Sequence, residues 1–169
     1  MSSAGHDTHD THGGHDTNSH DTHAHVAHDS HGHGTHDSHP AYTKVSMESL
    51  VSFNQKWRVA NDPDASPEIL AELSRETEWR VRSAVAKNRN TSEEVLRKLA
   101  TDGEASVRQN VAMNPHTPAD TLDRLADDDD LMVRLNVSRN EKTKLETVKR
   151  LGADENFTVR KSAAESGRL

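Results

Sequence analysis

The sequence predicts an all-α solenoid of about four two-helix repeats of equal length, preceded by a low-complexity N-terminal tail. Three observations carry this. The dipeptide Val-Arg recurs at Val81-Arg82, Val107-Arg108, Val133-Arg134 and Val159-Arg160, always at the same step of twenty-six. Apolar positions inside each copy follow helical spacing, and no alternating strand pattern appears. Helix-start signals recur at the same step. A fixed period of this length is the mark of stacked repeats.

The first half of each copy reads as a helix. In Thr91-Ser92-Glu93-Glu94-Val95-Leu96-Arg97-Lys98-Leu99, Thr91 with Glu94 three residues later has the form of a capping box. Thr117 with Asp120 and Thr143 with Glu146 repeat it, and Pro67 and Pro118 sit just inside the start. Leu70, Leu96, Leu122 and Val148 align as one column, and Leu73, Leu99, Leu125 and Leu151 as another. The second half places Val107, Val111 and Ala112 on one side of a second helix. Asn88, Asn114 and Asn140 are expected to close that helix in the left-handed conformation. Each copy is thus two short helices of about ten residues, or roughly three turns each.

The ends differ from the middle. Residues 41–64 read as an N-terminal capping helix or degenerate repeat, with Leu50, Phe53, Trp57 and Ala60 on one face. Residues 65–169 form the repeat domain. The chain stops after the second helix of the last copy, so Phe157, Val159 and Ala163 are expected to be partly uncovered. Such an end is a candidate for self-association or docking.

Residues 1–40 are different in kind. They hold six aspartates, no lysine, arginine or glutamate, and 12 of the chain's 13 histidines. The formal charge of −7 therefore lies almost wholly here, because the remaining 22 acidic residues nearly balance all 21 basic ones. A balanced body argues against a generic polyanion binder. The tail is too poor in apolar residues to offset its ordering entropy, so it is expected to be disordered when unliganded.

The motif His-Asp-(Thr/Ser)-His occurs five times in this tail. Imidazole binds Zn2+, Ni2+ and Cu2+ well, and a two-residue separation lets a flexible chain bring several rings to one ion. The candidate ligands are His6, His9, His12, His15, His20, His23, His25, His28, His31, His33, His36 and His39. Asp7, Asp10, Asp21, Asp29 and Asp37 are auxiliary, as oxygen ligands or as partners of a ligating ring. At three or four ligands per ion, the tail would take roughly three or four zinc ions. The same composition also suits a solvated spacer, a tag or a pH sensor whose charge rises on histidine protonation.

With no cysteine there is no disulfide, no thiol chemistry and no thiolate-held iron–sulfur cluster. No apolar run approaches a membrane span, and the N-terminus lacks the basic and apolar regions of a secretory signal. A cytoplasmic protein is the default expectation. His116 is the single body histidine, in a Pro-flanked turn, and no constellation for nucleophilic, nucleotide or metal-hydrolytic chemistry is found. Enzyme activity is not expected.

Asn114-Pro115-His116-Thr117-Pro118, followed by Leu122, Leu125-Ala126-Asp127 and Val133-Arg134, resembles the variant leucine-rich repeat family over roughly residues 55–166. That resemblance implies HEAT-like helical repeats wound into a right-handed superhelix. The period here is longer than the family's usual one. The cysteine-rich iron–sulfur segment carried by some members is missing, so no redox role transfers.

Two columns bear on function. Arg82, Arg108, Arg134 and Arg160, with Lys56 before them, form a basic column. Glu76, Asp102, Asp128 and Asp154 form an acidic one, six residues earlier in each copy. A structural ladder pairing the two, within or between copies, is the favoured reading. Were the arginines free, a nucleic-acid surface would follow. Asp127-Asp128-Asp129-Asp130 lacks an EF-hand's spacing and reads as a solvated turn. The expected function is a non-catalytic protein-interaction module with a metal-binding tail. The alternatives are a structural subunit of a virion or other multi-protein particle, with the tail as a packing arm, and nucleic-acid binding through the arginines.

Overall fold

In the computed structural model, Leu50 and residues 52–167 are described. The candidate histidine and aspartate ligands of the tail, and residues 41–49 of the N-terminal cap, lie outside the described residues. Within them are helices α1 (Phe53–Ala60), α2 (Pro67–Leu73), α3 (Trp79–Lys87), α4 (Glu93–Leu99), α5 (Ala105–Met113), α6 (Ala119–Leu125), α7 (Leu131–Arg139), α8 (Leu145–Leu151) and α9 (Phe157–Glu165). Even-numbered helices have seven residues, and odd ones from α3 onward have nine. Both are shorter than the sequence suggests, because turns take the remainder of each copy.

The odd-numbered helices pack on one another in a continuous row, each contacting the next. The even helices contact chiefly their chain neighbours in that row. The apolar columns fill the space between. Leu70, Leu96, Leu122 and Val148 are fully buried, as are Val81, Val107, Val133 and Val159 and the trio Val85, Val111 and Val137. A seven-residue helix is marginal alone. Its stability comes from this shared core, in which each copy supplies the surface its neighbour buries.

The helix starts sit one residue later than the capping-box reading. Ser92, not Thr91, caps α4, its hydroxyl accepting from the Val95 N–H at 3.4 Å. The Thr91 hydroxyl instead donates backwards to the Val85 carbonyl at 2.5 Å, and Thr117 and Thr143 do the same to Val111 and Val137 at 2.6 Å. Buried threonine thus satisfies a carbonyl in the last turn of the preceding helix, where carbonyls run short of intrahelical partners. Pro118 is the cap residue of α6 rather than its first helical residue, while Pro67 does open α2. At the N-terminal end Ser52 makes a reciprocal capping box with Gln55.

Two expectations about the ends change. Phe53 and Trp57 are 43% and 45% exposed, and only Leu50 and Ala60 of that proposed face are buried. At the other end Phe157 is 67% exposed, but Val159 and Ala163 are fully buried. Helix α9 packs on α7 and α8, which covers those two side chains. Among the described residues of α9, the large apolar side chain left uncovered is Phe157.

Candidate functional site

The repeated polar columns hold the stack together. Arg82 donates from Nε and Nη2 to the two carboxylate oxygens of Asp102 at 2.6 and 2.9 Å. Arg108 holds Asp128 at 2.7 and 2.9 Å, and Arg134 holds Asp154 at 2.8 and 3.2 Å. Each pair joins one copy to the next, and none uses the carboxylate six residues earlier in its own copy. The remaining guanidinium nitrogen does face that earlier turn, where it donates to backbone carbonyls: Glu76 and Thr77 for Arg82, Asp102 and Gly103 for Arg108. The planar fork makes both contacts at once, which a lysine cannot. Lys56 and Glu76 supply a simpler rung at 2.8 Å. Arg160 donates to the carbonyls of Asp154 and Glu155 and has no carboxylate partner among the described residues.

Burial by itself would raise the pKa of Asp102, Asp128 and Asp154. The arginine hydrogen bonds, a backbone N–H from Glu104, Asp130 or Asn156, and the guanidinium charges on either side outweigh it. All three carboxyls are held below the usual aspartate range. The arginines move the opposite way, raised chiefly by the hydrogen bond to their aspartate. The column thus offers no stripe of free cations for phosphates. Nor is the acidic run simply a solvated turn: Asp128 is in the ladder, and Asp130 caps α7 through the Met132 and Val133 N–H groups at 3.0 Å.

The asparagine column forms a second ladder. Asn88, Asn114 and Asn140 are extended, with φ near −70° and ψ of 126° to 132°, and not left-handed. The reason is in their side chains. Asn114 Nδ2 donates to the carbonyls of Ala86 and Asn88 in the preceding copy at 2.8 and 2.9 Å, while its Oδ1 accepts from the His116 N–H. Asn88 bonds Ala60 and Asp62 in the same way, and Asn140 bonds Ala112 and Asn114. The recurrence of asparagine in every copy was the available signal. Its role as an inter-copy bond was not visible in it. Among the described residues no buried side-chain nitrogen or oxygen lacks a partner.

The outer face of the odd helices is left open by the ladders and the core. Its last-turn column reads Asn61, Lys87, Met113, Arg139, Glu165, all exposed and chemically different from copy to copy. The first-turn column, Asn54, Arg80, Ser106, Met132, Thr158, varies likewise. The columns that make the stack repeat, whereas these do not, so the stack leaves them unconstrained. Toward the N-terminal end this face carries a groove of about 370 Å³ between Trp57, Trp79, Arg80, Lys87 and Met113. A second depression of similar volume continues from it past Pro63, Arg89 and Asn90, sharing Asn61, Ala84 and Lys87. Arg80 lies over the Trp79 ring, 4.9 Å from its centroid. Among the described residues no three histidine, aspartate or glutamate side chains are placed to hold a metal ion, and no helix is long and apolar enough to cross a membrane.

The sequence profile of the Leucine Rich Repeat Variant domain matches residues 54–114, and that of the Leucine rich repeat variant repeat matches 105–130. A solved structure described as a leucine-rich repeat variant with a novel repetitive protein structural motif is similar, with 28% sequence identity and a TM-score of 0.61. The similarity covers 77% of this chain and 51% of that one, so the chain spans about half of that structure's length. No curated protein matches. The period, the paired short helices and these similarities together make the helical body of this chain similar to the leucine-rich repeat variant family.

Proposed function

We propose that the protein is a non-catalytic interaction module that presents the outer face of its odd-numbered helices to another protein. One observation supports this above all: the apolar, arginine and asparagine columns that recur are engaged inside the stack, while the exposed last-turn column of the odd row differs from copy to copy. A solenoid offers an extended surface of this kind, and its stability does not depend on what that surface carries. A photo-crosslinking residue in place of Met132, on the odd row, is expected to trap a protein partner from the native source. The same residue in place of Lys149, on the even helices, is expected to trap none. Adducts only from the even position contradict the reading.

The His/Asp-rich tail, on this reading, binds a transition metal such as zinc, nickel or copper. Its support is ligand density: twelve imidazoles interleaved with aspartate between His6 and His39. Calorimetric titration of zinc into the full chain is expected to show saturable heat that residues 41–169 alone do not. Equal, negligible heats for both would remove the metal claim.

A further inference from the structure

We propose that the groove across α1, α3 and α5 binds an extended peptide segment bearing carboxylates on both sides of one aromatic or large aliphatic side chain. The inference rests on reading the odd-helix face as the binding face, and it adds the place and the chemistry of the partner.

The apolar part comes from Trp57 and Met113, which are 45% and 62% exposed and flank the groove, with the half-buried Trp79 between them. An indole beside a flexible thioether is a surface that accepts a bulky side chain and adapts to its shape. The charged part is Arg80, Lys87 and Arg89. No carboxylate lines either depression. Lys87 and Arg89 make no ion pair among the described residues, and the Arg80–Glu78 pair is an open one, with Arg80 exposed and Glu78 half-buried. This contrasts with the arginine ladder, where each guanidinium from Arg82 to Arg134 holds a buried aspartate. Three cations, two of them without an ion pair among the described residues, around an open apolar slot complement an acidic ligand with an apolar anchor.

A single-stranded nucleic acid is the competing polyanion. It would need a track of cations along the row and successive rings on which bases stack. Here the regularly spaced arginines are engaged, and the groove's cations cluster at one end beside one well-exposed indole. The geometry therefore favours a peptide.

The full chain carries two tryptophans, and both line this groove, so their emission reports on its occupancy directly. The experiment selects random displayed peptides on the full chain, then titrates the best-enriched peptide while reading tryptophan emission. The expected peptides carry an acidic excess around one aromatic or aliphatic residue and give a saturable emission shift that weakens with salt. Lys87→Glu with Arg89→Glu, both at exposed positions, is expected to weaken binding about tenfold or more, while Lys149→Glu leaves it unchanged. Enriched peptides without acidic excess, no enrichment, or affinity indifferent to the double reversal would overturn the inference. So would an oligothymidylate giving the same shift as the peptide. Peptides that crosslink instead around Met132 and Arg139 would end this inference and leave the interaction reading standing. Peptides lost on Lys149→Glu would end both.

Discussion

Arg108 grips both carboxylate oxygens of Asp128, at 2.7 and 2.9 Å, and with its third nitrogen it closes the turn at Asp102 and Gly103. One side chain therefore binds two copies of the repeat to each other through a carboxylate and two backbone carbonyls. The arrangement recurs at Arg82 and Arg134.

Arg108→Lys keeps the charge and loses the fork. Urea unfolding is expected to show a loss of about 1–3 kcal/mol. In a double-mutant cycle with Asp128→Asn, the two changes should be non-additive by about 0.5–3 kcal/mol. Additive effects would mean that the pair does not act as a unit.

The same aspartates make stability depend on pH with a definite sign. Their folded-state pKa values lie below the unfolded value of about 3.9. The stabilisation is therefore complete above that value and is lost as pH falls through the depressed folded values. Thermal melts of the full chain should fall steeply below about pH 4, and Asp128→Asn, already destabilised, should show a shallower fall. An identical slope in both would contradict the ladder's contribution.

Asn114→Ala leaves the carbonyls of Ala86 and Asn88 without their side-chain donor, at an expected cost of about 1–3 kcal/mol. Asn114→Asp should cost more, because it sets a carboxylate oxygen against two carbonyl oxygens. Denaturant midpoints for the two variants check the order. A left-handed cap would predict the reverse emphasis, with Asn114→Gly harmless.

Thr117→Val keeps the shape and removes the hydroxyl that bonds Val111. It should destabilise by about 1–2 kcal/mol, with Thr117→Ser closer to the parent. Ser92→Ala should cost about 0.5–2 kcal/mol as the loss of a true N-cap. Chemical denaturation of each variant reads both effects, and a neutral Ser92→Ala would return the cap to Thr91.

The helices and their core were legible because the repeat period and the helical period are both printed in one dimension. The bonds between copies were less so. A column such as Asn88, Asn114 and Asn140 says that a residue recurs, and both a left-handed cap and an inter-copy donor would make it recur. Thr91 and Ser92 are adjacent and equally able to cap; only the position of the Val85 carbonyl separates them. Arg108 lies six positions after Asp102 and one copy before Asp128, so spacing alone favours neither partner. The groove was missed for the opposite reason: Trp57, Lys87 and Met113 belong to columns without a pattern, and their lack of pattern was the available signal.

Hydrogen exchange of the full chain with and without its selected peptide tests the division between stacking and binding columns most directly. Protection is expected on the amides of α1, α3 and α5, with α2, α4 and α6 unchanged. Protection confined to the even-numbered helices, or none along the odd row, would contradict the account.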